Sequence, residues 1–290
     1  MPKEVTPAPT LVGAPGSYED THVHNVYDSI AHHFSSTRYK PWPVVAAFLE
    51  SIPAGYVGLD AGTGNGKYLI SPKEREGKTW TIGLDRSIRL LEFAKRAGDK
   101  DRECILSDVL DTCWRPGVFD FAISIATIHH LATPVRRKLA VQSLLRSLSP
   151  YHGRGLIYVW AIQQDDLSKR SVPVTGEEAQ SGQDVFVPWV LNNGPSSTKS
   201  KTSSIEKSNT SDPSPCTENQ EAPVYNRYYH MFDRGELREL VLSAAKELNI
   251  CVDPTDETQT LGSGSKRYIE ITKDDWERSN YYVEFRLFKG

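Results

Sequence analysis

Leu59-Asp60-Ala61-Gly62-Thr63-Gly64-Asn65-Gly66-Lys67-Tyr68 decides the reading of this 290-residue chain. Three glycines on alternate positions follow directly on an apolar run that ends in Asp60. Glycine adopts backbone angles closed to other residues, and its missing Cβ lets a ligand approach the main chain. The run predicts a strand over 56–60 that turns sharply into a helix, with the turn cradling the polar part of a nucleotide-like cofactor. Dinucleotide folds carry G-x-G-x-x-G, and here Lys67 occupies the third glycine's place. G-x-G-x-G with an acidic residue two places before it points instead to a sulfonium cofactor, S-adenosylmethionine. A glycine-rich turn that binds nothing is the plainer alternative.

Outward from this loop, short apolar runs alternate with helical patterns. Strands are expected over 79–85, 104–106, 119–125 and 156–160. Ser87 is placed to cap a helix carrying Ile88, Leu91 and Ala94. A second helix over 135–148 has Val135, Leu139 and Leu148 on one face. The alternation predicts an α/β fold, a Rossmann-like, doubly wound and mostly parallel sheet. Ligands of such sheets bind outside the carboxyl ends of the strands, where Gly62, Asp85, Asp108 and Ser124 fall. Upstream, Val23, Val26, Tyr27, Ile30 and Phe34 share a helical spacing over 22–34, and a further helix runs through Val45, Phe48 and Leu49. Downstream, Asp233 and Glu236 have the spacing of a capping box ahead of Leu237, Leu240, Val241, Ala244 and Leu248. Runs over 267–272 and 281–288, with Trp276 between them, suit an antiparallel hairpin that completes the sheet.

Residues 1–17, rich in Pro, Gly and Ala, read as a mobile tail. Residues 18–290 read as one domain, interrupted at 194–222 by a Ser, Thr, Lys and Pro-rich insertion too polar to offset its ordering entropy. The formal net charge is -3, so the surface as a whole is not built to grip nucleic acid and only a local basic patch would serve. Cys104, Cys113, Cys216 and Cys251 form no C-x-x-C pair, which excludes a disulfide framework or zinc site and suits a reducing compartment, cytoplasm or nucleus. No stretch approaches eighteen apolar residues, and no apolar leader follows Met1, so neither a membrane span nor a cleaved signal is expected.

Several side chains have chemistry to offer. Asp85, ending the second strand, suits both hydroxyls of a ribose, or alternatively the N-terminus of the following helix. Arg86 beside it would suit a 2′-phosphate, were the dinucleotide motif present. Asp108 can meet an adenine amino group or be an ordinary loop acid. The fourth strand runs into Ser124-Ile125-Ala126-Thr127-Ile128-His129-His130, without the Asn/Asp-Pro-Pro-aromatic signature of base N-methylation. No ordered Pro-Cys supplies the thiolate that pyrimidine C5-methylation needs. Adjacent histidines point to opposite sides, which argues against a shared metal, and His-x-Asp is absent. Aromatic and cationic residues gather in Arg38-Tyr39-Lys40-Pro41-Trp42, Trp160, Trp189 and Arg227-Tyr228-Tyr229-His230. Singly these are packing or solvated surface. Together they suit bases that stack and an anion that needs a guanidinium.

With these segments assembled, the chain resembles the eukaryotic tRNA wobble-uridine carboxymethyl methyltransferase family. The segments that carry the resemblance are HFSSTRYKPWP (33–43), DAGTGNGKY (60–68), FDFAISIATIHH (119–130), LIYVWA (156–161), DVFVPWV (184–190) and YNRYYHMFDRGEL (225–237). The glycine loop is common to class I methyltransferases, whereas HFSSTRYKPWP and DVFVPWV are far more specific. Thr63 stands where the family often has cysteine, and Tyr281-Tyr282 where it has a Trp-containing pair. Relatives fused to an iron dioxygenase are similar only in this part, and the missing iron motif fits a stand-alone enzyme.

The resemblance implies methyl transfer from S-adenosylmethionine to 5-carboxymethyluridine of a tRNA anticodon stem-loop, giving the methyl ester. It implies a small zinc-binding activator subunit, seated at the third-strand edge near Cys104 to Asp108, where an unpaired strand needs cover. Residue by residue, Tyr27, Asp60, Gly62, Gly64, Gly66, Asp85, Arg86, Asp108, Val109 and Ser124 are assigned to the cofactor. Arg38, Arg227, His129 and Trp160 are assigned to catalysis, Lys40, Tyr228 and His230 to the substrate, and none to a metal. Arg38 suits either the substrate's carboxylate or the cofactor's own. A small-molecule carboxyl or hydroxyl methyltransferase, and a non-catalytic binding module, remain competing readings. For an RNA enzyme of negative net charge, Arg136, Arg137 and Lys138 are expected to form a local basic surface.

Overall fold

The computed structural model describes residues 3–70, 77–166, 168, 170–172, 182–191, 223–252 and 266–290. The first five strands of its central sheet are β1 (Val57–Ala61), β2 (Trp80–Asp85), β3 (Cys104–Leu106), β4 (Phe121–Ile125) and β5 (Arg154–Trp160). Further along come β6 (Gln183–Val190), β7 (Val224–Met231), β8 (Ile250–Val252), β9 (Arg267–Glu277) and β10 (Asn280–Lys289). The eight-stranded sheet has the order β8-β9-β10-β5-β4-β1-β2-β3. The strands from β5 to β3 run parallel, and β10 lies antiparallel to both β5 and β9. Strand order reverses between β1 and β4, so the crevice of a doubly wound sheet opens above their carboxyl ends.

Helices α1 (Pro15–Glu19), α2 (Asn25–Thr37), α3 (Pro43–Glu50), α4 (Ile88–Ala94), α5 (Pro134–Ser147) and α6 (Glu236–Glu247) cover the sheet. Ser87 caps α4 as its position requires, its hydroxyl accepting the Leu90 N–H at 3.2 Å. Thr133 does the same for α5. Asp233 and Glu236 form half of the expected capping box: the Glu236 carboxylate accepts the Asp233 N–H at 3.0 Å. One core lies between the sheet and α5 with α6, built on Ile157, Val159, Val241 and Val283. The other lies under α3, where Val45 and Phe48 meet Phe121, Ile123 and Tyr158. β4 is buried along its whole length, which explains its unbroken apolar run.

Three expectations need correction. The segment expected to be a mobile tail over 1–17 is docked over its described residues, 3–17: Thr6–Pro7 pairs with β6, Lys3–Glu4 pairs with Arg170–Ser171, and Val5 is 3% exposed. Its composition is loop-like, but one buried valine and two short ladders, one of them to the hairpin, hold it in place. Trp276 lies inside β9 rather than between strands, because the turn falls later, at Arg278 and Ser279 with φ of 48° and 64°. The hairpin of β6 and β7, eight residues in register from Gln183↔Met231 to Val190↔Val224, was not foreseen as strand. The 194–222 insertion lies outside the described residues, as does Cys216. Among the described residues, no helix is long and apolar enough to cross a membrane, and no His, Cys, Asp and Glu cluster could hold a metal ion.

Candidate active site

An open cleft lies at the reversal point, walled on one side by the β1 loop and on the other by the β6–β7 hairpin through Arg227 and Tyr229 of β7. The three glycines have three different reasons to be there. Gly62 has φ of 94°, and a Cβ there would meet Thr127 Oγ1 at 2.1 Å, so its absence lets the loops after β1 and β4 touch. Gly64, at φ 58°, exposes its backbone to the cleft, with only Phe34 within 4 Å of a built Cβ. Gly66 does not line the cleft. A Cβ there would meet Ala94 Cα at 2.7 Å, so this glycine lets the loop pack on α4.

Asp85 holds the loop in place, accepting the Gly64 N–H at 2.8 Å and the Ser87 N–H at 2.9 Å. A carboxylate has about four acceptor positions, so capacity remains for a diol in the cleft. Burial raises the Asp85 pKa against those backbone hydrogen bonds. Val109 supplies an apolar wall that continues into the core. The Asp108 carboxylate accepts the Leu110 N–H at 3.0 Å and the Arg86 guanidinium at 2.8 Å. Arg86 also reaches Asp20 at 2.7 Å, so it ties the turn before α2 to the rim of the cleft and is not a free phosphate anchor.

Two assigned residues sit beneath the cleft. Asp60 is wholly buried, accepts the Thr63 hydroxyl at 2.7 Å, and does not line the cavity. Burial pushes its carboxyl up to about 7, with the Thr63 hydrogen bond opposing. Ser124 is one residue short of the end of β4, and its side chain lines a small separate cavity with Leu59, Leu84 and Leu144. Period-two alternation turns it away, and it is Ile125, Ala126 and Thr127 that reach the cleft. Ala126 does so at φ 55°, a strained angle for a residue with a Cβ.

The opposite wall is aromatic and cationic. Trp160 stacks on Tyr229, with centroids 4.1 Å apart and planes 5° from parallel. Arg227 is 4% exposed, its guanidinium 4.7 Å from the Trp189 ring and 5.2 Å from Tyr229. It donates to the Tyr27 hydroxyl at 3.4 Å, its Nε has no hydrogen-bond partner, and no carboxylate among the described residues pairs with it. Arg38, exposed at the end of α2, reaches the same indole at 5.2 Å. Burial lowers its pKa, and Arg227 pushes the same way.

The histidines are neutral and serve as orienting groups. His129 Nδ1 accepts the Trp160 N–H at 3.0 Å, which leaves the ring proton on Nε2. His130 Nδ1 donates to the Tyr228 carbonyl at 2.9 Å, and its Nε2 accepts from the Tyr27 hydroxyl at 3.0 Å. Burial brings His130 down to about 3, so it stays uncharged near neutral pH.

Strand alternation splits the Arg227-Tyr228-Tyr229-His230 segment. Arg227 and Tyr229 face the cleft; Tyr228 and His230 face away. Tyr228 donates to Asp184 at 2.8 Å, and His230 bridges Asp184 and Glu236 at 2.7 Å each, fastening the hairpin to α6. Neither lines the cleft, so their assignment to the substrate is corrected. Lys40 is exposed outside the cavity, 6.0 Å over Tyr39. The expected basic surface is likewise spent: Arg136 is bidentate to Glu19, Arg137 is buried on the Leu131 carbonyl, and Lys138 pairs with Glu247. Lys67, passed over as merely the residue that breaks a dinucleotide motif, lines the cleft, 4.5 Å over Trp42 and 4.7 Å over Tyr68. One of these rings, Tyr68, is its neighbour in the chain, but the other, Trp42, is brought in from the segment before α3, and no local pattern announced it.

A methyltransferase-domain family model matches residues 59–151. The tRNA (carboxymethyluridine(34)-5-O)-methyltransferase of Schizosaccharomyces pombe is 43% identical over 228 residues, 78% of this chain and 89% of that protein. This chain belongs to that family. The Saccharomyces cerevisiae member is 44% identical over 184 residues, 63% of this chain and 61% of that one. The Xenopus tropicalis member is 36% identical over 262 residues, and the match spans 39% of that longer protein. The fold also matches Burkholderia thailandensis 1,6-didemethyltoxoflavin-N1-methyltransferase, solved with S-adenosylhomocysteine, at a TM-score of 0.55 and 16% identity, over 98% of this chain and 94% of that one. This is the class I methyltransferase architecture.

Proposed function

We propose that this chain uses S-adenosylmethionine to esterify the carboxylate of 5-carboxymethyluridine at the wobble position of tRNA. The observation that carries the reading is Arg227: a buried guanidinium, facing the cleft among aromatic rings, with no carboxylate partner among the described residues. A buried cation without an anion is unfavourable, and an incoming carboxylate relieves it. The relatives named above bear the matching activity in their names.

The cofactor fits the other wall. Asp85 has acceptor capacity for the ribose hydroxyls, Val109 flanks the base, and the bare backbone at Gly64 admits the amino-acid portion. When bound, S-adenosylmethionine supplies the electrophilic methyl group. The acceptor carboxylate is ionised near neutral pH, so no general base is required. His129, its Nδ1 committed to the Trp160 N–H, is in keeping with that. Arg227 orients the carboxylate, the Trp160–Tyr229 stack provides a face for the uracil ring, and the aromatic walls exclude water. Negative charge on the acceptor fades in the transition state, so a grip on both oxygens would hold back the reaction. Tyr27 takes up one Arg227 donor, which limits that grip.

The activator subunit belongs to the same reading. β3 ends the sheet, paired with β2 alone, and leaves Ile105 37% and Leu106 56% exposed. An apolar strand edge of this kind favours a partner that adds a strand. With the local basic residues spent in ion pairs, the partner also offers a source of positive surface for tRNA.

The test is transfer of labelled methyl from S-adenosylmethionine to total RNA of a strain lacking the family enzyme, with and without the activator. Label released by mild alkali is the expected ester. Alkali-resistant label, or transfer to small metabolites alone, refutes the assignment.

A further inference from the structure

The cleft holds three cations that no carboxylate neutralises among the described residues: Arg227, Arg38 and Lys67. Arg86 also lines it, but is held by Asp20 and Asp108. The three fall on two walls. Arg227 and Arg38 share the Trp189 indole. Lys67 stands apart on Trp42 and Tyr68, and Trp42 in turn stacks on Tyr158 of β5 at 4.6 Å.

We propose that Lys67 anchors the α-carboxylate of the cofactor's amino-acid portion, which leaves Arg38 to the acceptor. This rests on the cofactor reading above. Its basis is the placement of the two ends of the cleft. Asp85, the diol acceptor, ends β2 on one side of the strand-order reversal. The Trp42 and Tyr68 platform packs on β4 and β5, on the other side, with Ile123, Ile125 and Tyr158. A nucleoside whose ribose is held at Asp85, and whose chain crosses Gly62 and Gly64, delivers its amino-acid end to that platform.

The chemistry of the site agrees. Contacts with ring faces position an ammonium without neutralising it, so its charge stays available to an anion. Arg38 is drawn the other way: Asn65 donates to the Arg38 carbonyl at 3.2 Å, fixing its backbone at the loop while its guanidinium extends to Trp189. The cofactor's carboxylate keeps its charge throughout the reaction, so a firm anchor there does not oppose the transition state, unlike one on the acceptor. Burial also brings Lys67 down to about 8, with Asp60 opposing and Arg38 assisting, and a bound carboxylate would restore its charge.

The experiment is calorimetric binding of S-adenosylhomocysteine and of its decarboxylated analogue to the full chain, without RNA. The intact ligand is expected to bind at least about tenfold tighter, in line with one charge-assisted contact. Lys67→Met should bring the two affinities within about twofold by weakening only the intact ligand; Lys67→Arg should keep most of the preference, and Arg38→Gln should keep it all. Preference retained in Lys67→Met, or lost in Arg38→Gln, overturns the proposal. Should Lys67→Met not fold, Lys67→Gln takes its place with the same two readings. If the unaltered chain binds neither ligand, the cofactor reading itself fails, which is a separate result.

Discussion

The loop wall and the hairpin wall of the cleft are built on opposite plans. The loop wall is made of main chain: Gly62 and Gly64 present backbone, and one carboxylate, Asp85, fixes its shape. The hairpin wall is made of side chains from four separate places. Tyr27 comes from α2, His130 from the loop after β4, Trp160 from β5, and Arg227 with Tyr229 from β7. Their polar atoms run in one direction: Arg227 and Tyr229 donate to Tyr27, which donates to His130, which donates to the Tyr228 carbonyl. A wall of backbone suits a ligand shared by many enzymes. A wall of side chains can be changed residue by residue, and so carries the choice of acceptor.

If this division holds, substitutions on the two walls separate cleanly. Arg227→Met should lower methyl transfer to RNA by at least about a hundredfold, comparable to loss of a buried charged contact, with S-adenosylhomocysteine affinity within about twofold. A parallel fall in cofactor affinity would break the comparison. Asp85→Ala should do the reverse: cofactor binding weakened on the order of tenfold or more in a calorimeter, RNA affinity unchanged. Tyr27→Phe removes one hydroxyl from the side-chain relay and should cost about fivefold to tenfold in kcat, with KM for cofactor unmoved; an effect confined to cofactor KM would shift Tyr27 to the other wall.

A last effect, on stability rather than turnover, sharpens the comparison from beneath the loop. Burial raises the Asp60 carboxyl from 3.8 to about 7 in the folded chain. The folded state then binds its proton more tightly than the unfolded state, so the stability contributed by Asp60 is fully present below about pH 4 and is lost as pH rises through about 7. Asp60→Asn should flatten that decline, recovering on the order of 2–4 kcal/mol above pH 7. Thermal melts of both forms between pH 4 and 8 measure it. Identical slopes would remove Asp60 as the strained element under the loop.

Much of the loop wall could be read in advance, because its signals are local. An apolar run, alternate glycines and an acid at the next strand end lie within thirty residues, and β1 to β5 appear close to their expected places. The hairpin wall was legible only as residue types. Arg38, Arg227, His129 and Trp160 do meet at the cleft. Tyr228 and His230 were grouped with them because β7 had not been recognised as a strand, whose alternation sends every second side chain away. Ser124 lies on a strand that was expected, but placing it at the strand's end did not say which face its side chain takes, and alternation turns it from the cleft. Lys67 was overlooked because its significance lies in its place in the cleft and in Trp42, a ring that long-range packing brings to it.

The amino-acid order alone determined the alternating sheet, the glycine loop and the inventory of aromatic and cationic groups, since each depends on spacing within a short stretch. Which cations stay unpaired was decided by tertiary structure alone. Arg86, Arg136 and Lys138 found carboxylates, whereas Arg227, Arg38 and Lys67 have none among the described residues. Charge and burial are settled by neighbours far apart in the chain, and only the folded form sets each cation beside an acid or beside an empty cleft.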